Sequence, residues 1–346
     1  MFKIEGTSMK GDLAVDIVIP WVDGSDPVWK QDKERYDLSI GKSEGNQESK
    51  YRDWELLRFW FRSIERNMDW INKVHFITYG HLPEWLNTSN AKLNIVAHGD
   101  YIPDKYLPTF NSHVIELNVH RIPDLAERFV YMNDDTFILD RVDRSIFFDD
   151  HGMPRQMMKI MCLDNYDPDV DFCIIDFNNM GLINRNFSIH DFDKRKLFSF
   201  KYDLRTNIRN MALPLSYVYP GFCQLHMPAP FLRSTFLEVW DKEERYLDKT
   251  CTHKFRHYKD VNQWLMQYWQ LVKGDYTPIN AAKYSKMFEI GRNDEEMFTA
   301  LKNHTYKMVC LNDSDSAIDF EKEKRQLIQI MKILYPKRSG YEKEDK

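Results

Sequence analysis

An α/β fold with a mainly parallel, Rossmann-like sheet is what this sequence predicts, and three observations carry that expectation. Short apolar, β-branched runs alternate with segments of helical period in the first part of the chain. Their order is strand, helix, strand, strand, helix, strand, the pattern of a sheet covered by helices. Two acidic clusters, Asp23/Asp26 and Asp134/Asp135, follow directly on two of those strands. Ligands of open parallel sheets sit at that end of the strands.

The first strand spans 15–22 (VDIVIPWV) and stops at the turn formers Asp23-Gly24-Ser25-Asp26-Pro27. A polar stretch over 41–50 reads as an exposed loop. Residues 53–67 have helical spacing, with Leu56, Leu57, Trp60, Phe61 and Ile64 on one face and Asp53 placed to cap the start. Strands follow at 73–78 (KVHFIT), broken by Gly80-His81-Leu82-Pro83, and at 93–98 (LNIVAH). A helix is expected over 113–122 after Pro108, and a strand over 128–132 runs into Asn133-Asp134-Asp135. Beyond about residue 150 the pattern is less regular. Helices are expected at 234–244, 260–272 and 319–334, a short strand at 308–311, and a frayed tail at 337–346. With no repeats and no low-complexity linker, one composite domain over 15–315 is expected, divided near residue 150. A C-terminal helix and tail (316–346) follow it.

Composition narrows the function classes. A chain of 346 residues that is 43% hydrophobic can bury a large core, with second-lobe helices to spare. A net charge of -5 with mixed signs argues against a nucleic-acid binder, which needs a basic face. The five cysteines (Cys162, Cys173, Cys223, Cys251, Cys310) are scattered, without C-x-x-C spacing, as expected of thiols in a reducing compartment. The first ten residues lack a signal-peptide pattern, and no apolar run reaches the ~20 residues of a spanning helix. A cytoplasmic protein is expected, at most peripheral at the inner face of the cell membrane. P-loop, dinucleotide-fingerprint and nucleophile-elbow motifs are missing, which argues against a P-loop ATPase, a dehydrogenase and an α/β-hydrolase.

Several residues have the chemistry of a site. Asp134 and Asp135 are hard oxygen ligands for Mg²⁺ or Mn²⁺ at a strand end, and one of them could instead cap the next turn. Asp23 and Asp26 flank Gly24, which lets a ligand approach the backbone; an ordinary Asx turn is the plainer reading. Asn111-Ser112-His113 opens a helix, whose free N–H groups suit a phosphate, or Asn111 or Ser112 simply caps it. His226 can take a proton from a hydroxyl, though it is one of eleven histidines. Arg256, within Lys254-Phe255-Arg256-His257, can brace a phosphate or belong to a solvated basic turn. Arg205 and Arg209 offer a second, weaker anion contact. Cys310-Leu311-Asn312-Asp313 can bring a late carboxylate or amide to the same metal, or form a strand-end turn.

Taken in order, these words resemble the Stealth family. That family includes bacterial capsular polysaccharide phosphotransferases and the catalytic subunit of the lysosomal-enzyme GlcNAc-1-phosphotransferase. Its first block is similar to Asp16-Ile17-Val18 through Trp21-Val22-Asp23-Gly24-Ser25-Asp26-Pro27. The second runs from Arg52 to about Leu139 and includes Arg62-Ser63-Ile64-Glu65, Pro83-Glu84-Trp85-Leu86-Asn87, Leu107 to His113 and Asn133-Asp134-Asp135. The third holds His226-Met227-Pro228 and extends through Phe255-Arg256 to Asp260, and the fourth is Cys310-Leu311-Asn312-Asp313. Four distinctive words in the right order outweigh the plainer reading of each alone. Where the lysosomal enzyme has a His two residues after the Met of the third block, this chain has Ala229. It also lacks that enzyme's long insertions, which points to the bacterial polysaccharide branch, as does Tyr268-Trp269-Gln270-Leu271-Val272.

The resemblance implies a GT-A-type Rossmann-like domain with inserted helices and a C-terminal helical portion. It implies a UDP-sugar donor, usually an N-acetylhexosamine, and a glycan or lipid-linked oligosaccharide acceptor that attacks the β-phosphorus and releases UMP. Asp134, Asp135, His226 and Arg256 are then the catalytic positions. Asp134, Asp135, Asn312 and Asp313 are the metal set for Mg²⁺ or Mn²⁺. Trp21, Asp23, Gly24, Asp26, Arg62, Asn111, Ser112 and His113 hold the substrate. Two other readings stay open: ordinary metal-dependent glycosyl transfer releasing UDP, and a carbohydrate-binding protein without catalysis.

Overall fold

The computed structural model describes residues 13–40, 52–162, 171–313 and 319–344. The expected loop at 41–50 lies outside them. In chain order the elements are β1 (Val15–Pro20), α1 (Pro27–Ile40), α2 (Leu57–Asn67), β2 (Val74–Thr78), β3 (Leu93–Ala97), α3 (His98–Tyr101), α4 (Ser112–Leu117), β4 (Arg128–Tyr131), β5 (Thr136–Ile138) and β6 (Arg155–Gln156). Then come α5 (Asp171–Asn186), α6 (Leu204–Met211), β7 (Ala229–Leu232), α7 (Arg233–Cys251), α8 (Trp264–Lys273), β8 (Thr277–Pro278), β9 (Ser285–Glu289), α9 (Asp294–Asn303), β10 (Met308–Asn312) and α10 (Phe320–Leu334).

The main sheet has the order β3-β2-β1-β4-β7. The first four strands are parallel, and β7 runs antiparallel to β4. Strand order reverses between β1 and β4, so the crevice at their carboxyl ends is the topological switch point. A second sheet, β5-β10-β9, extends β4's path past the acidic turn, and β6 pairs with β8.

Period-2 alternation sorts the strand residues between two cores. Ile17, Ile19, Phe76 and Val130 pack with Trp60, Phe61 and Ile64 of α2 and with Leu327 and Met331 of α10. Val18, Ile77, Phe129 and Tyr131 pack with Phe231, Phe236, Trp240 and Tyr268. Because both faces are covered, β1 and β2 read as near-continuous apolar runs. Each fully buried aromatic adds roughly 2 kcal/mol over leaving it exposed. The predicted apolar face of α2 is buried throughout.

The structure departs from expectation in several places. Asp26 accepts a hydrogen bond from the Trp29 amide (2.7 Å) and so caps α1, a helix the local pattern did not announce. Asp53 does not cap α2; it accepts from the Glu55 amide (2.7 Å) in a turn where Glu55 has φ 56°. The helix expected over 113–122 splits into α4 and a 3₁₀ turn, with Asn118 Nδ2 donating back to the Val114 carbonyl (2.8 Å). The C-terminal tail is docked rather than frayed as far as it is described. Tyr341 is buried against Phe61 (ring centroids 5.0 Å apart).

The tail also uses up Arg62, which was expected to hold substrate. Its Nε and Nη2 donate to the two oxygens of Glu342 (2.7 and 2.6 Å), and its Nη1 donates to the Tyr335 carbonyl (2.9 Å). The pair is buried, so Arg62 is a clamp between α2 and the C-terminus. Arg62→Ala leaves Glu342 buried without its counter-charge and should cost about 3 kcal/mol, read as a lower thermal midpoint. Any kcat/KM of the remaining folded protein should stay within about twofold. Lost kcat/KM with unchanged melting would put Arg62 back in the substrate site.

Candidate active site

β4 ends in Asn133-Asp134-Asp135, which turns the chain into β5. The turn is fixed from both sides. Trp60 Nε1 donates to the Asn133 carbonyl (3.2 Å), and the Leu311 amide of β10 donates to the Asp135 carbonyl (2.9 Å). The Asp135 carboxylate collects three neighbours. Thr136 Oγ1 donates to Oδ1 (3.2 Å), Cys310 Sγ donates to Oδ2 (3.3 Å), and His226 Nε2 lies 3.4 Å from Oδ2. The Asn133 side-chain amide sits 2.9 Å from the same His226 nitrogen. His226 arrives on the loop before β7. The sequence separates Asp135, His226 and Cys310 widely, yet their ligating atoms lie within 4.8 Å of one another.

These contacts set the charges. Burial works to raise the Asp135 carboxyl, but bonds from His226, Cys310 and Thr136 outweigh it and hold the group below the usual range. Burial works to lower His226, but its bond to Asp135 and that residue's charge carry it above its ordinary 6.5. The Cys310 thiol is pushed well up by burial and then by Asp135, so it stays a protonated donor.

Asp134 is open to water at the mouth of the crevice, yet crowded by protein on its other sides. Lost solvation, then Asp135 and Asp53, push it up to about 7, while His226 opposes. Asp53 is itself raised, by burial first and in part by Asp23. Carboxylates from the ends of β1 and β4 and from the loop before α2 thus repel one another in one place. Hard oxygen donors whose like charge is unrelieved fit Mg²⁺ or Mn²⁺. The expected metal set needs correction, though. Asp313 accepts from Arg52 Nη2 (3.1 Å) and from Trp54 Nε1 (3.2 Å), so a guanidinium and an indole take its oxygens. Asn312 lies in β10 opposite Glu289 of β9. Asp313 does not join the Asp135, His226 and Cys310 cluster among the described residues. Asp53, read in the sequence as a helix cap, is the acid that does crowd Asp134.

Arg256 sits on the loop between α7 and α8, and a buried carboxylate shapes that loop. Asp260 is fully buried and accepts from Asn111 Nδ2 (2.8 Å) and the His257 amide (3.0 Å). His113 Nδ1 lies 3.0 Å and His253 Nδ1 2.6 Å from its oxygens. Burial opposes ionisation, but the bonds from His113 and His253, with that from Asn111, hold the carboxyl down to about 2. Asn111 also donates to the Phe255 carbonyl (3.1 Å) and accepts from the His113 amide (3.0 Å). Asn111 and His113 were expected at a diphosphate; both are buried and spent on this brace. Only Ser112 of the three meets Arg256, its Oγ accepting from Nε (3.2 Å) and Nη2 (2.9 Å). Below them Glu116 is buried, with Oε2 lacking a hydrogen-bond partner. Burial raises its carboxyl, against the charges of His113 and Arg256. Glu116 and Arg256 both act on His226, one raising and one lowering it, so the loop and the histidine share one field.

At the end of β1, Trp21 stacks on Phe76 (5.5 Å) and meets the edge of His81 (5.2 Å). The Asp23 amide donates to His81 Nε2 (2.7 Å), while Asp23 Oδ1 accepts from the Ser25 amide (2.8 Å) and Oγ (2.6 Å). Asp23 and Asp26 therefore do form turn and cap, with Gly24 between them. Beside them, beyond β2 and β3, a pocket of about 530 Å³ opens between Tyr36 and Arg35 of α1 and the side chains of Tyr79 and His98. Tyr79 donates to Asp32 (2.8 Å). His98 Nδ1 is buried without a hydrogen-bond partner, and burial, then the charge of His81, push the imidazole down to about 4.

Comparison with known proteins bears on this arrangement. The model of Stealth protein CR1, conserved region 1, matches residues 14–41, and that of Stealth protein CR2, conserved region 2, matches 50–156. The capsular polysaccharide phosphotransferase WcwK of Streptococcus pneumoniae is 38% identical over 336 residues, covering 95% of this chain and 99% of that one. The chain belongs to the Stealth family. Another relative, the receptor polysaccharide phosphotransferase WefC of Streptococcus gordonii, is 33% identical over 331 residues (95% and 98% of the two chains). As a Stealth protein the chain is a sugar-phosphate transferase. The two matched regions carry the acids at the ends of both β1 and β4. The solved galactosyltransferase LgtC overlaps at TM-score 0.34 and 9% identity, over 91% of this chain and 95% of that one, too weakly to bear on either fold or activity. The Rossmann-like assignment stands on the chain's own strand order.

The crowding at Asp134 is measurable without substrate. An acid raised in the folded state destabilises the fold once the unfolded chain ionises near 3.8, and the loss is complete above about 7. Metal-free Asp134→Asn Stealth protein should therefore melt higher than wild type above about pH 7, by roughly 2 °C. The advantage should vanish below about pH 4. A difference that does not change with pH would contradict the crowding.

Proposed function

We propose that this Stealth protein transfers a hexose 1-phosphate, an N-acetylhexosamine 1-phosphate, from a UDP-sugar to a hydroxyl of a glycan acceptor. UMP leaves, and a phosphodiester is built into a capsular or cell-surface polysaccharide. The observation that carries the reading is the Asp135–His226 pair at the switch point, in one field with Arg256. With the Asn133 amide turned to present its oxygen to Nε2, the tautomer whose Nε2–H donates to Asp135 leaves Nδ1 of His226 as the base. In this reading the acceptor O–H gives its proton to Nδ1. The acceptor oxygen bonds to the β-phosphorus. The bond from that phosphorus to the oxygen bridging the α-phosphorus breaks, and its electrons leave on UMP. Arg256, resting on Ser112, balances charge on the phosphoryl group in transit. Asp135 orients and polarises His226 rather than taking the proton itself.

Asp134, with Asp53 and Asp135 beside it, would hold Mg²⁺ or Mn²⁺, which when bound neutralises diphosphate charge. The pocket between Tyr36, Tyr79 and His98 suits the flat base of the donor, with the Asp23–Asp26 turn on the path to the diphosphate. A UDP-sugar donor places the reaction in the cytoplasm.

The test is to incubate the protein with a panel of UDP-sugars, Mg²⁺ or Mn²⁺ and an oligosaccharide acceptor, and to identify the released nucleotide. UMP is expected, and Tyr79→Ala should raise the donor KM about tenfold with kcat little changed. Release of UDP would mean attack on the sugar carbon and ordinary glycosyl transfer. Binding without release of either nucleotide would leave only a carbohydrate-binding protein.

A further inference from the structure

The helix α6 is amphipathic in the reverse sense. Leu204, Ile208 and Met211, spaced i, i+4, i+7, share one face, and that face points outward, 75%, 60% and 63% exposed. Its polar residues Thr206, Asn207 and Asn210 are the buried ones. Their hydrogen bonds hold them there. Asn210 accepts from the Ile160 amide (3.0 Å) and donates to the Met158 carbonyl (2.8 Å). Asn207 makes the same two-way pairing with the backbone of Ser199 (3.0 Å each). Thr206 donates to Asp203 (2.8 Å). The helix cannot roll its apolar face inward without stranding these groups.

The segments on either side of α6 carry further exposed apolar side chains. Phe200, Leu215 and Tyr217 are 96%, 86% and 94% exposed. Lys194, Lys201, Arg205 and Arg209 of the same stretch are also exposed. Residues 193–218 hold six Lys or Arg against two acids, Asp193 and Asp203, in a chain whose net charge is -5. Asp193 pairs with Arg195 (2.9 Å), and Asp203 is spent capping α6 at the Thr206 amide (2.9 Å). Protruding aromatic and aliphatic side chains within a basic surround match the surface of an anionic bilayer: the apolar tips enter the headgroup boundary, and the cations meet lipid phosphates. A second copy of the chain is a poor occupant, because it would bring Arg205 and Arg209 against their own kind. Among the described residues no helix is long and apolar enough to cross a membrane, so this contact is lateral.

We propose that α6 and its flanking segments are a docking surface for anionic phospholipid membranes. The proposal goes beyond the transfer reaction and does not rest on it, since binding is measured without donor or acceptor. Full-length protein is sedimented with vesicles of mixed phosphatidylglycerol and phosphatidylcholine, and with vesicles of phosphatidylcholine alone. It should pellet with the first and not the second. Arg205→Glu with Arg209→Glu should weaken partitioning at least about tenfold, and Phe200→Ser with Leu204→Ser should do the same at unchanged melting temperature. Failure to bind anionic vesicles, equal binding to both compositions, or undiminished binding by both variants would overturn the proposal. So would a dimer in sedimentation velocity that Phe200→Ser with Leu204→Ser splits, without vesicle binding, since the face would then join two copies of the chain.

Discussion

Parallel pairing of β1 with β4 sets Val18 beside Tyr131, and the Met132 amide donates to the Val18 carbonyl (3.0 Å). The rest of the site depends on that register. Two parallel strands that end side by side deliver their following turns to one crevice, here Asp23–Asp26 and Asn133–Asp135. Lost solvation and the charges of Asp135 and Asp53 then drive Asp134 up to about 7, while Asp135, tied to His226, goes down. Neighbouring acids pushed apart in this way take different roles. Slipping the register by one residue would also turn the Ile17/Ile19 and Val18 faces into the wrong cores.

Polar residues around the crevice divide by how completely the protein satisfies them. Asn111, His113 and His253 are spent on the buried Asp260, and Arg62 on the buried Glu342. Such groups position loops, and removing one leaves its partner charged and dry. His226 and Arg256 are different. His226 is held through Nε2 alone, by Asp135 and Asn133, and Arg256 through Ser112. That half-satisfied state, rather than residue type, is what singles them out for the proposed chemistry.

Much of this was legible in the sequence. The parallel strands showed as apolar runs because helices cover both faces of the sheet, and the acidic turns stood where those runs stopped. Pairings across long sequence distances left no local trace: Arg52 meets Asp313 across 261 positions, so a motif that looked like a metal ligand proved to be an ion pair. Asp53 stood where a helix cap is expected and could not be recognised as part of the acidic crevice. The helix α6 was hidden because its buried side is polar, and a search for apolar periodicity would have placed it facing the wrong way.

The central claim is that Asp135 acts through His226. A double-mutant cycle on kcat for UMP release, with Asp135→Ala, His226→Ala and the two combined, tests it most directly. The account predicts that His226→Ala lowers kcat by about a hundredfold or more, and that the double variant is no slower than His226→Ala within about threefold. Losses that multiply in the double variant would contradict it, and would mean that Asp135 serves the reaction independently of the histidine.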